Sequence, residues 1–181
     1  MGTVIGITGT PGTGKKSVAP LVGEALGIPS VSLPNVSHSG TRELVIDTAK
    51  AMLELSREPP GRVVAYGHLI PYVLPRSLVS RVFVLRCDPA VLKGRLSRRG
   101  YSAIKIRENV EAELIGVLAY DAYRAFGRPR TVELDTTAGS PTSTAEAVVG
   151  LLGKKVPSGR RIDWTLRYPS ARALMSLLGS G

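Results

Sequence analysis

The sequence predicts an α/β domain in which a five-stranded parallel sheet is covered by helices on both faces, and three observations carry that expectation. Short, mostly apolar runs (TVIGIT at 3–8, SVSL at 30–33, RVVAY at 62–66, RVFVLRC at 81–87, TVELDT at 131–136) alternate with stretches of helical spacing. A glycine-rich loop, GTPGTGKKS at 9–17, joins the first of these runs to the first helical stretch. At 181 residues the chain can bury the core of one domain, and its single cysteine, Cys87, allows no internal disulfide.

Taken in order, the run at 3–8 reads as a buried strand and Lys15 to Leu26 as a helix that stops at Gly27. After the short strand at 30–33, the polar stretch PNVSHSGT leads into a helical pattern over 42–57, which EPPG at 58–61 ends. The strands at 62–66 and 81–87 are linked by GHLIPYVLPRSL. Asp88-Pro89 starts a helix over 89–99, with Asp as N-cap and Pro in the first turn. Past Gly100, apolar Ile106, Val110, Leu114, Val117 and Leu118 recur at helical spacing and predict one long amphipathic helix over 102–126. The strand at 131–136 and a helix over about 142–153 complete a domain spanning 1–153.

Beyond it, residues 154–181 read as a basic tail outside the sheet. Two readings of the tail stay open: a strap that docks Ile162, Trp164, Leu166 and Tyr168 on the core, or a basic, aromatic-bearing arm for RNA or a ribosomal partner.

The composition, 43% hydrophobic and 21% charged, is that of a globular protein, and no apolar run approaches the length of a bilayer span. With no secretory pattern at the N-terminus and one cysteine, a cytoplasmic location is expected. The formal charge of +10 favours an anionic partner such as nucleotide or RNA, although a basic surface also serves solubility.

The loop at 9–17 carries the chemistry. Its glycines let successive N–H groups turn inward, and the helix behind adds its positive end, so Gly12, Thr13, Gly14, Lys15, Lys16 and Ser17 form a candidate phosphate cradle. Lys15 is placed to reach the β- and γ-phosphates of ATP. The pattern departs from G-x-x-x-x-G-K-[ST], because Lys16 stands where the Mg²⁺-binding hydroxyl is expected.

GTPGTGKKS resembles the loop of adenylate kinases, in which the hydroxyl often comes one place late, as Ser17 does here. VFVLRCDPAVLKGRLSRRGYSAIKIRENVEAEL, together with GHL at 67–69 and IDTAK at 46–50, is similar to the adenylate kinase isoenzyme 6 family of archaea and eukaryotic nuclei, also linked to ribosome maturation. The resemblance covers roughly 3–153 and implies a P-loop nucleoside monophosphate kinase-like three-layer fold, with a lid over about 98–108 and a monophosphate-binding segment over about 32–47.

By that resemblance, ATP and Mg²⁺ serve phosphoryl transfer to AMP or other nucleoside monophosphates, with accompanying ATPase activity. Lys15, Arg99 and His68 are its catalytic candidates, and Ser32, Arg42 and Asp47 those of the acceptor side. Arg95, Arg98, Lys105 and Arg107 join Arg99 as possible lid cations, some of them equally a solvated helix face. His68 orients water or metal, or is simply a packed histidine. Tyr66 replaces an acid common in the family, which leaves Ser17 as the candidate protein ligand of Mg²⁺. The competing function is an ATPase switch that acts as an assembly factor for the small ribosomal subunit, bound to its RNA and a ribosomal protein, with little kinase turnover.

Overall fold

The computed structural model describes residues 3–33, 61–154 and 161–179. Strand β1 (Val4–Thr8) is buried along its whole length, as its uninterrupted apolar character requires. It pairs in parallel with β3 (Val63–Tyr66) on one side and β4 (Val79–Arg86) on the other; β2 (Ser30–Ser32) lies beyond β3 and β5 (Thr131–Asp135) beyond β4. The order is β2-β3-β1-β4-β5, so the carboxyl ends of all five strands share one edge.

Seven α-helices occur among the described residues: α1 (Lys15–Leu26), α2 (Ile70–Val73), α3 (Pro89–Ser97), α4 (Ala103–Leu114), α5 (Val117–Phe126), α6 (Pro141–Leu151) and α7 (Ala171–Leu178). Strand alternation sends side chains to two cores. Ile5, Ile7, Val64, Phe83 and Leu85 meet Val18 and Val22 of α1 and Ala145 and Val148 of α6. On the opposite face Val4, Val63, Ala65, Val82 and Val84 meet Ile70 and Val73 of α2 and Ala122 and Phe126 of α5. Each large aliphatic or aromatic side chain buried this way contributes about 1.5–3 kcal/mol, which makes the three layers the main source of stability.

The long helix expected over 102–126 is two helices. Ile115 and Gly116 separate α4 from α5, and Gly116 has a left-handed φ of 70°. The apolar spacing runs on through the break, but a Cβ at Gly116 would stand 3.3 Å from Arg86 Nη2, so the chain turns around a buried guanidinium. The helix expected over 42–57 lies outside the described residues.

For the C-terminal region, Arg161–Gly179 adds no strand and packs on α4. Trp164, 4% exposed, and Leu177 of α7 cluster with Val110 and Leu114. Asp88 caps α3 by accepting the Ala90 N–H at 2.9 Å, and it also accepts from Arg167 Nη1 at 2.7 Å and the Tyr168 hydroxyl at 3.0 Å. Of the two readings of the tail, the docked strap describes these residues. Leu166, expected to dock with them, is instead 78% exposed.

Candidate active site

The site forms at the carboxyl edge of the sheet, where β1 runs into the glycine loop and α1 starts behind it. Gly9 lies at φ 143°, and a Cβ there would stand 2.4 Å from the Leu85 carbonyl oxygen; Gly12, at φ 96°, approaches Leu92 as closely as 2.6 Å on the same construction. Only glycine lets the loop lie this near β4 and α3. The loop is then tied down: the Thr13 hydroxyl donates to the Thr10 carbonyl at 2.9 Å, and the Thr136 hydroxyl donates to the Thr13 carbonyl at 2.9 Å. No side chain caps α1, and its first turn lines the cavity; the Ser17 N–H donates to the Gly14 carbonyl at 3.0 Å, which leaves the Lys15 and Lys16 N–H groups to meet an anion.

A cavity of about 400 Å³ opens there, within the range of about 300–1,000 Å³ usual for small-molecule sites. It brings Gly12, Gly14, Lys15, Lys16 and Ser17 of the loop together with Ser32 at the end of β2, Tyr66 and His68 at the end of β3, and Arg99 beyond α3. Thr13 lies behind, in the wall of a smaller adjoining cavity of about 160 Å³.

Lys15 Nζ donates to the carbonyls of Gly9 at 2.6 Å and Thr10 at 3.0 Å. Burial lowers its pKa to about 8; Glu113 opposes the fall, and Arg99 and Lys16 add to it. The His68 imidazole is held below its usual value by burial and by Lys15, so it is neutral at pH 7. Among the described residues no group of three His, Cys, Asp or Glu side chains is arranged to hold a metal. Of the described lining residues, Ser17, Ser32, Tyr66 and Tyr101 offer hydroxyls, Ser17 the one beside Lys15 and Lys16 on the loop, and none offers a carboxylate. That donor set fits a Mg²⁺ carried on a nucleotide's own phosphate oxygens and touched by Ser17.

The other expected cations separate. Lys105 and Arg107 pair along their own helix with Glu108 at 2.7 Å and Glu111 at 2.8 Å, on its solvent face. Arg98 is exposed and lines none of these cavities. Arg95 Nη2 donates to the carbonyls of Thr136 and Thr137 at 2.8 and 3.0 Å, bracing the turn after β5. Arg42 and Asp47 lie outside the described residues.

Two features escaped the sequence reading. The smaller cavity adds Thr136 and Gly139 from the β5–α6 connection and Pro141 and Thr144 from the first turn of α6 to Arg95 and Arg99; the signal was a polar DTTAGSP stretch at the carboxyl end of a strand. Beneath the loop, Glu113 and Arg86 form a buried ion pair at 2.8 Å. Their signals were a carboxylate three residues after Val110 on the apolar stripe of a helix, and an arginine inside an apolar strand.

Comparison with known proteins agrees with this geometry. A sequence profile of the family described as AAA domain matches residues 5–116. The protein named "Putative adenylate kinase" of Thermococcus onnurineus is 38% identical over 91% of this chain and 93% of its own length. The protein of the same name in Pyrococcus furiosus is 35% identical over 91% and 93%. The chain belongs to this archaeal adenylate kinase family. Solved structures similar to this family member share its fold at low identity. YorR of Bacillus subtilis, in complex with phosphorylated GDP, has a TM-score of 0.58 at 20% identity and covers 83% of this chain and 95% of its own. Shikimate kinase of Bacteroides thetaiotaomicron has 0.55 at 15%, with 82% and 97% covered. No described helix is long and apolar enough to cross a membrane.

Proposed function

We propose that the protein transfers the γ-phosphoryl group of ATP to a nucleoside monophosphate, AMP foremost. The observation that carries this reading is the convergence of Lys15, Ser17, Arg99 and His68 on one cavity at the carboxyl edge of the sheet. An oxygen of the acceptor's phosphate attacks the γ-phosphorus, the bond to the β-bridging oxygen breaks, and two nucleoside diphosphates leave. Such a reaction needs positioned positive charge and exclusion of water more than it needs a nucleophile from the protein.

Lys15 exchanges the Gly9 and Thr10 carbonyls for phosphate oxygens, while the first turn of α1 donates to the β-phosphate. Arg99 stands at the wall shared by both cavities, where it neutralises charge on the transferring group. The smaller cavity, walled by Arg95, Thr136 and Pro141, suits the nucleoside part of ATP. Ser32, in the wall of the larger cavity, serves the acceptor side; Arg42 and Asp47, the other acceptor candidates, lie outside the described residues. Neutral His68 orients a water or the acceptor phosphate. Ser17 would hold a Mg²⁺ carried on the nucleotide, which would supply Lewis-acid stabilisation of the phosphate oxygens.

The test is ADP formation from ATP in Mg²⁺, with and without AMP, CMP, GMP and UMP. Formation is expected to rise at least tenfold with AMP; ATP consumption indifferent to every monophosphate refutes phosphoryl transfer and supports the ATPase switch. That second reading, with a small-ribosomal-subunit partner, is favoured by the +10 charge and by Arg124 and Arg161, stacked on Tyr120 and Tyr123 at 5.9 and 4.9 Å. Salt-dependent binding to ribosomal RNA, weakened by removing Arg124 and Arg161, checks it.

A further inference from the structure

The Glu113 carboxylate, 2% exposed, lies between the phosphate loop and the C-terminal segment. One oxygen accepts from Arg86 Nε at 2.8 Å, the Cys87 backbone N–H at 3.0 Å and Trp164 Nε1 at 3.2 Å. The other accepts from the Thr10 hydroxyl at 2.6 Å. The Thr10 carbonyl in turn receives Lys15 Nζ and the Thr13 hydroxyl. The cation that faces the cavity is thus joined through Thr10, by its carbonyl on one side and its hydroxyl on the other, to a carboxylate that also holds an indole more than a hundred residues away in sequence.

We propose that Glu113 is a positioning residue of the phosphate loop, and that through Trp164 it makes the docked segment Arg161–Gly179 sense whether nucleotide occupies the loop. The inference rests on the nucleotide reading above. Arg86 is also bonded to Glu133, to the Ile162 carbonyl at 3.0 Å and to the Glu113 carbonyl at 2.9 Å, so its charge is met without the Glu113 oxygen that Thr10 uses. That oxygen serves the loop. A buried indole N–H needs a partner, and here its partner is the carboxylate the loop shares. When Lys15 trades the Thr10 carbonyl for phosphate, the load on Thr10 changes, and the field at the indole changes with it.

Trp164 is the chain's single tryptophan, which makes the path directly readable. On the full chain, ATP is titrated by calorimetry and by Trp164 emission. In wild type the emission is expected to change saturably, with the calorimetric Kd. Thr10→Val, which keeps shape and removes the hydroxyl, is expected to raise Kd about fivefold, the worth of one hydrogen bond, and to abolish the emission response. Thr10→Ser restores both. Trp164→Phe, which keeps the ring in its pocket, is expected to raise Kd by a similar factor, and the two changes together to fall short of the product of their separate effects.

An emission response that survives Thr10→Val, a wild-type Kd in Trp164→Phe, or a double variant at the product of the singles overturns the inference while leaving nucleotide binding intact. A wild-type chain that binds no ATP overturns the nucleotide reading as well. The conservative variants avoid Glu113→Gln, which takes one carboxylate from a buried ion pair and risks the fold.

Discussion

At the scale of single residues, the loop keeps its lysine occupied until a phosphate arrives. Lys15 is bonded to two loop carbonyls, so binding exchanges one set of oxygens for another instead of leaving a buried ammonium bare. Lys15→Met retains the stem and loses the charge; kcat/KM for ATP is expected to fall by about a hundredfold or more in steady-state assays. Lys16 is different. It lines the cavity and lowers the Lys15 pKa by repulsion, so it adds to the positive potential there. Lys16→Gly is expected to raise the Kd for ATP severalfold and to flatten its dependence on salt, measured by calorimetry at two ionic strengths. Unchanged affinity in both salts is the outcome for a lysine that merely points to solvent. The loop was legible because glycine spacing encodes its backbone directly. Glu113 and Arg86 were not, because each reads as an ordinary charge until the fold shows that both are buried against one another.

At the scale of elements, strands and helix starts were legible where local chemistry decides them. The five apolar runs became five strands, and Asp88 caps α3 as its Asp-Pro setting predicts. The break between α4 and α5 was not legible, since the cause is Arg86, thirty positions earlier in the chain. Gly116→Ala forces a left-handed φ on a residue with a Cβ and crowds that guanidinium; a loss of about 1–3 kcal/mol is expected in denaturant unfolding. Asp88 joins α3 to the C-terminal segment and carries a pH signature. Burial raises its pKa, but the Ala90 N–H, the Tyr168 hydroxyl and Arg167 together outweigh burial and hold the carboxyl below its usual value. A depressed folded pKa means stability that is present above the unfolded pKa of about 3.9 and is lost as pH falls through the folded value. Thermal melts of wild type and Asp88→Asn are therefore expected to differ at pH 7, to begin to converge as pH falls below about 4, and to meet only below the folded pKa.

At the scale of the whole molecule, the final described stretch packs on α4. The strap and arm readings could not be separated in the sequence, because the same Trp, Tyr and Arg residues suit both; contact with Val110 and Leu114 separates them for Arg161–Gly179. Ending the chain at 160 uncovers Val110 and Leu114 and takes a donor from Glu113, so a lowered melting temperature is expected together with weakened ATP binding. A truncated chain with both properties unchanged contradicts this packing. Outside that segment's core contacts, Arg124 and Arg161 keep their charges over tyrosine rings.

Arg86 also has a consequence for the order in which the molecule is made. Its acidic partners, Glu113 and Glu133, follow it by 27 and 47 residues, and the Ile162 carbonyl follows by 76. While the chain is being synthesised, the central strands are complete long before the groups that neutralise the arginine at their end. A nascent chain that closed the sheet early would bury a naked cation, at a cost of several kcal/mol. A product that ends before residue 113 therefore carries this arginine with neither carboxylate to meet it.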